Sequence, residues 1–249
     1  MRPANDRPLM RGSRGATTVG AGFARRAAEP ESPIGGPKGT ASLGGPQGEV
    51  SSGGPQGEVS SGGPKGASSL VGPEGEALLR GLVRDVPDFP RPGIVFKDIT
   101  PLLASPVALR VAVSALAQQA AAASRVDIVL AAEARGFLLG PALALRLDAG
   151  FALARKPGKL PHRTVEARYQ LEYRSDALQL HADALPEGAR VLIHDDLLAT
   201  GGTAKALCEL VQRLRGVVVG CSFLIELSFL SGRERLLPHQ THSLLRYDA

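Results

Sequence analysis

The sequence predicts an α/β fold with a doubly wound, mainly parallel sheet over residues 79–249. Three observations carry this. The runs VDIVLAA (126–132) and VVVGCSFLIEL (217–227) are apolar without alternation, as strands covered on both faces must be. Helical patterns separate the strand-like runs, which is what the crossover of a parallel pair requires. A third strand, 191–194, runs through an acidic pair and a glycine-rich turn into an amphipathic helix, AKALCELVQRLRG.

The first 78 residues differ in kind. Pro37, Pro46, Pro55, Pro64 and Pro73 recur every nine residues in GGP(K/Q)G-like units, and each unit has at most one Val or Leu to bury. Glycine does not hold every third position, so a collagen helix is excluded. Such a segment cannot offset its own ordering entropy and reads as a disordered, partly extended tail. Residues 1–29 hold six arginines against Asp6 and Glu29. An organelle presequence has this composition, but the apolar face is poor, so an unstructured basic extension of a cytoplasmic protein is the reading. There is no apolar run long enough to span a membrane.

Along the folded part, Ser105-Pro106 reads as an N-cap and first-turn proline opening a helix to about Ser124. GFLLGPALALRL (136–147) reads as a helix in which Pro141 marks a kink or a late start. FALAR (151–155) is a strand, and 156–168 a long polar loop. YQLEY (169–173) and ALQLH (177–181) suit an antiparallel hairpin. Ser231 is expected to cap the basic turn GRERL, and SLLRY (243–247) to be an edge strand. Ligands of such sheets gather at the carboxyl ends of the strands, so the loops after Glu133, Lys156 and Asp195 should share one rim.

The chemistry concentrates in VLIHDDLLATGGT (191–203). Gly201 and Gly202, with Ala199, Thr200 and Thr203, let backbone N–H groups turn inward, and the helix that follows adds its positive end. A phosphate fits there. Asp195 and Asp196 would repel that phosphate and instead suit vicinal hydroxyls, so one ligand satisfies both halves: a ribose 5-phosphate. The absence of Gly-Lys-Ser/Thr excludes a Walker A loop. In AAEARGF (131–137), Arg135 stands among small residues as a bidentate partner for a second anion, or as a plain surface arginine at a helix start. ARKPGKLPHRT (154–164) gathers Arg155, Lys156, Lys159 and Arg163 in a Gly/Pro loop, either a solvated run or a lid.

At these residues the chain resembles the type I phosphoribosyltransferases, and DDLLATGGT is similar to the signature of their adenine-specific members. The resemblance covers about 80–248. It implies the reaction of adenine with phosphoribosyl pyrophosphate (PRPP) to give AMP and pyrophosphate, in a homodimer with Mg²⁺. It makes 131–137 a pyrophosphate loop with a strained peptide near Glu133–Ala134. The segment around Lys156 and Lys159 becomes a lid matching RKxGKLP. Glu172 of LEY becomes the general acid/base, with Tyr173 beside it, and Arg135 and Lys156 complete the catalytic set. PDFPRPGIVFKDITPLL (87–103) becomes a small, rigid, non-helical N-terminal hood reading adenine through the backbone of Val95 and Lys97, with Phe96 against the ring. No side-chain cage for the metal is implied; Mg²⁺ would ride on PRPP, within reach of Asp195 and Asp196. Transfer to hypoxanthine or orotate, and a non-catalytic PRPP-binding regulator, are the rival readings. His194 stands where an aliphatic residue is usual.

The remaining composition narrows the partners. Net charge is +5, with seven Phe, three Tyr and no Trp, so no nucleic-acid surface is indicated. The five histidines lack metal-ligand spacing, and Cys208 and Cys221 read as small core residues in a reducing compartment.

Overall fold

The protein was analysed as a computed structural model that describes residues 72–170 and 175–248. The repeat tail up to residue 71, and Glu172 and Tyr173, lie outside the described residues. A five-stranded sheet forms the centre. Its strands are β3 (Ile128–Ala132), β4 (Gly150–Ala154), β7 (Arg190–Leu198), β8 (Val217–Leu227) and β9 (Thr241–Tyr247), in the order β4-β3-β7-β8-β9. All four pairings are parallel. Within each strand successive side chains serve opposite cores. Leu130, Ile193 and Phe223 pack under α5 (Gly202–Arg213), while Val129, Leu192 and Leu224 pack under α3 (Pro106–Ala123) and α4 (Gly140–Arg146). Each such Leu or Phe contributes roughly 1.5–3 kcal/mol by leaving water.

Three smaller elements flank the sheet. A hairpin of β5 (Thr164–Gln170) and β6 (Ser175–His181) is tied to the end of β4 by reciprocal Arg155–Gln179 backbone bonds of 2.9 and 2.7 Å. Strands β1 (Arg84–Val86) and β2 (Phe96–Asp98) pair antiparallel; β2 lies in the 87–103 hood segment, and β1 just before it. Helix α1 (Pro73–Gly81) spans the residue-78 boundary read from composition and buries Leu79. Among the described residues no helix is long and apolar enough to cross a membrane.

Several expectations hold locally. Ser105 caps α3 by accepting from the Ala108 N–H at 3.3 Å, and Pro141 marks a late start, since α4 begins at Gly140 after a 3₁₀ turn at Arg135–Phe137. Cys208 and Cys221 are buried free thiols. Others need correction. The hood segment is not wholly non-helical: Thr100–Ala104 forms a short helix, α2, with Pro101 in the first turn, where the missing N–H costs nothing. The polar loop ends at Arg163, because Thr164 already pairs with His181. Ser231 precedes the GRERL turn but makes no side-chain capping bond. Strand β7 does not end at His194 but runs on through the acidic pair to Leu198, held by β8 alone after β3 has stopped.

His194 is fully buried in that strand. Its Nδ1 lies 3.0 Å from the Ser222 carbonyl, so Nδ1–H donates and the ring is neutral, while Nε2 has no partner among the described residues. Burial lowers its pKa from 6.5 to about 4. A base whose pKa falls on folding is protonated first in the unfolded chain, so stability is lost as pH drops from 6.5 toward 4. His194→Leu removes this contribution, up to about 1.4 kcal/mol per pH unit. Melting temperatures across that window should fall less steeply in the variant; an unchanged slope contradicts the assignment.

Candidate functional site

The overhang of β7 places the site. Asp195 is the register partner of Phe223 on β8 and has no partner on β3, so the acidic pair emerges at the carboxyl rim. Adjacent residues of a strand face opposite ways, and the two carboxylates differ accordingly. Asp195 lines a cleft of about 110 Å³ with Arg135, Phe223 and the turn 199–203. Asp196 is 4 % exposed and meets Arg135, Nε to Oδ2, at 3.4 Å. The Asp196 N–H donates to Asp195 Oδ1 at 2.9 Å, which ties the two together. Desolvation, with the neighbouring Asp196 charge, pushes the Asp195 pKa well up. Asp196 is also raised by burial, against the pull of Arg135.

The phosphate turn is shaped by glycines. Gly201 adopts φ 79°, a left-handed value that suits glycine, and opens α5. A Cβ there would stand 2.4 Å from the carbonyl oxygen of Gly232, and a Cβ on Gly232 would stand 2.1 Å from that of Ala199. The two backbones touch. Gly136 plays a similar part beneath the acidic pair, its virtual Cβ 3.1 Å from Asp195 Oδ1. Among the described residues no three His, Cys, Asp or Glu side chains are grouped to hold a metal ion.

The basic loop rests on carboxylates. Glu133 accepts from the Lys156 N–H at 3.1 Å and from Arg155 Nε at 3.3 Å, and faces Lys159 Nζ at 3.5 Å. The Lys156 N–H bond, ahead of the opposing burial effect and the Arg155 bond, holds its carboxyl below the usual range. Lys156 Nζ lies 3.7 Å from Asp176. The Glu133–Ala134 peptide is cis.

In the hood, Phe96 packs edge-on to Phe89, ring centres 5.2 Å apart, and lies 5.7 Å below the Arg135 guanidinium. Arg135 thus joins the hood to the acidic pair. Val95 is exposed, and β2 pairs only with β1 in its sheet, leaving one edge open. The Lys97 side chain, 9 % exposed, turns to Asp85 at 2.7 Å and to the Tyr247 ring at 4.2 Å.

Sequence reasoning brings together Arg135, Asp195 and 199–203 in the cleft, with Phe96 across Arg135. It missed Gly232, the packing of Gly136 under Asp195, and the carboxylates on which the cations of the basic loop rest. A glutamate directly after an apolar strand run was the only sequence trace of Glu133.

The comparisons agree with this geometry. The model of the phosphoribosyl transferase domain matches residues 102–243. The adenine phosphoribosyltransferase of Rubrobacter xylanophilus is 54% identical over 171 residues, 68% of this chain and 92% of that one. The crystal structure of the adenine phosphoribosyltransferase from Thermoanaerobacter pseudethanolicus superposes with a TM-score of 0.67 at 46% identity, covering 69% of this chain and 99% of that one. The Saccharomyces cerevisiae enzyme, solved with an imino-altritol bisphosphate and adenine, gives 0.66 at 37% identity, covering 69% and 98%.

Folding raises the Asp195 pKa, so the folded chain keeps that proton to higher pH than the unfolded chain does. Stability is therefore lost as pH rises from about 3.8 through the raised value. Asp195→Asn never acquires the charge. It should melt higher than the parent at neutral pH, by about 2–4 °C for each kcal/mol released, and the gap should close below pH 3.8. A variant melting at or below the parent at neutral pH contradicts this.

Proposed function

The chain belongs to the adenine phosphoribosyltransferases, and from that membership we propose how its residues carry out pentosyl transfer from PRPP to adenine, giving AMP and pyrophosphate in purine salvage. The observation that carries the reading is the cleft in which Asp195 and Arg135 meet the turn 199–203. The 5-phosphate sits in the N–H groups of Ala199, Thr200, Gly201, Gly202 and Thr203, at the start of α5. Asp195 accepts from a ribose hydroxyl, and Asp196 does so as Arg135 turns from it toward pyrophosphate. The open edge of β2 takes adenine through Val95 and Lys97, with Phe96 against the ring.

Adenine N9 bonds to ribose C1 as the C1–O bond breaks and its electron pair goes to pyrophosphate. Positive charge spreads over C1 and the ring oxygen in between. Arg135, Lys156 and Lys159 meet the growing negative charge, the lysines by leaving Asp176 and Glu133. Glu172, with Tyr173 beside it, takes the proton that adenine gives up. The oxygen-only acidic pair suits a hard cation, and Asp195 or Asp196 would hold Mg²⁺ together with PRPP oxygens; bound so, Mg²⁺ supplies charge neutralisation at the pyrophosphate.

The same reading makes the enzyme a homodimer in the cytoplasm. Leu145, 83 % exposed on α4, with exposed Leu138 and Leu153, offers an apolar surface for a second copy. A reducing compartment suits the free thiols of Cys208 and Cys221.

The test is pyrophosphate release by the full chain with PRPP, Mg²⁺ and a panel of bases. Adenine should exceed hypoxanthine and orotate by about a hundredfold or more in kcat/KM. Glu172→Ala should lower kcat by about a hundredfold or more. Equal turnover of the three bases, or full turnover in the variant, contradicts the reading.

A further inference from the structure

Glu226 is an acid in the wrong place for an apolar strand. It closes the run VVVGCSFLIEL on β8, is 3 % exposed, and is the register partner of Leu198, the last residue of β7 before the phosphate turn. Its partner is Arg233, in the 3₁₀ turn Gly232–Leu236. Nε donates to Oε1 at 3.0 Å and Nη2 to Oε2 at 2.5 Å, a two-pronged pairing. Arg233 Nη1 also donates to the Thr241 carbonyl at the start of β9, and Arg246 Nε lies 3.6 Å from Oε2. Burial pushes the Glu226 pKa up, but the Arg233 pairing, with Arg246 adding its charge, outweighs it and holds the carboxyl below its ordinary value.

The Glu226 side chain, 4 % exposed, gives up its water while Arg233 at 39 % keeps part of its own, and an apolar residue of equal volume at 226 would serve a plain core as well. What the pair does beyond packing is fix position. Arg233 follows Gly232, whose backbone is the surface against which the phosphate turn rests. The Gly201 virtual Cβ lies 2.4 Å from Gly232 O, and the Gly232 virtual Cβ lies 3.0 Å from Gly201 N. Contact this close, backbone on backbone with no side chain to absorb error, passes any shift of Gly232 to the turn. The turn binds through N–H directions, and a displacement of about 1 Å from a remote change can cost a hundredfold.

We propose that Glu226 and Arg233 are positioning residues for the sugar-phosphate seat: the pair pins Gly232 as the floor of the turn 199–201 and so sets the affinity for ribose 5-phosphate. This rests on the reading of 199–203 as that seat. The pair touches no substrate. Its effect reaches the phosphate end of PRPP and not the base, because the hood is built on other residues.

The experiment is calorimetry of the full-length protein with ribose 5-phosphate, beside KM values for PRPP and for adenine. Arg233→Ala should lower ribose 5-phosphate affinity about tenfold or more and raise the PRPP KM in step, with the adenine KM held within about twofold. Arg233→Lys, which keeps the charge but loses the fork, should recover part of the loss. Gly232→Ala, whose new methyl would stand 2.1 Å from Ala199 O, should give the same split and decides the matter if Arg233→Ala does not fold. A folded variant that binds like the parent, or one whose adenine KM rises as much as its PRPP KM, overturns the proposal. A parent protein that binds no ribose 5-phosphate would instead overturn the reading of the seat.

Discussion

Two carboxylates side by side and short of water are the constraint to which the rest of the rim answers. Asp195 and Asp196 repel each other, and burial makes each charge more expensive. Backbone N–H groups and Arg135 offset this, and Arg135, 3.4 Å from Asp196, is still 47% exposed, so its share is screened and partial. The strand overhang, the bare Gly136 beneath Asp195 and the apolar Phe223 beside it all keep the pair in this state. Stability is given up at the carboxyl rim of the sheet, where the proposed sugar-phosphate seat lies.

The same economy governs the cations. Arg155 and Lys159 rest against Glu133, and Lys156 against Asp176, at distances of 3.3 to 3.7 Å. In each pair the cation is a third to a half exposed while its carboxylate is largely covered, so solvent screens the attraction in part. The basic loop is therefore charged and paired at the same time. Arg135 links this system to the hood, since one guanidinium serves both Asp196 and the Phe96 face.

What was legible in the sequence follows from what is local. Strands buried on both faces announce themselves by unbroken apolar runs, so β3 and β8 were read almost to their ends, and the turn 199–203 carried its own glycine and threonine signature. The errors arose where a distant partner decides. Asp195 and Asp196 are poor strand formers, and only pairing with β8 keeps them extended. The prolines of the hood segment make it read as non-helical throughout, although Pro101, standing in a first turn, is compatible with the helix α2. The backbone contact of Gly201 with Gly232 spans segments with no shared pattern, and nothing in either glycine alone points to the other. The Lys97 side chain could not be assigned to Tyr247 until β9 lay beside the hood.

The central claim is that the acidic pair holds the ribose. Titration calorimetry with PRPP and Mg²⁺ measures it directly, comparing the parent with the double variant Asp195→Asn/Asp196→Asn. Each hydrogen bond to a charged group contributes about 1.5–3 kcal/mol, so affinity should drop about a hundredfold or more in a variant that remains folded. Binding of undiminished strength in that variant would contradict the account.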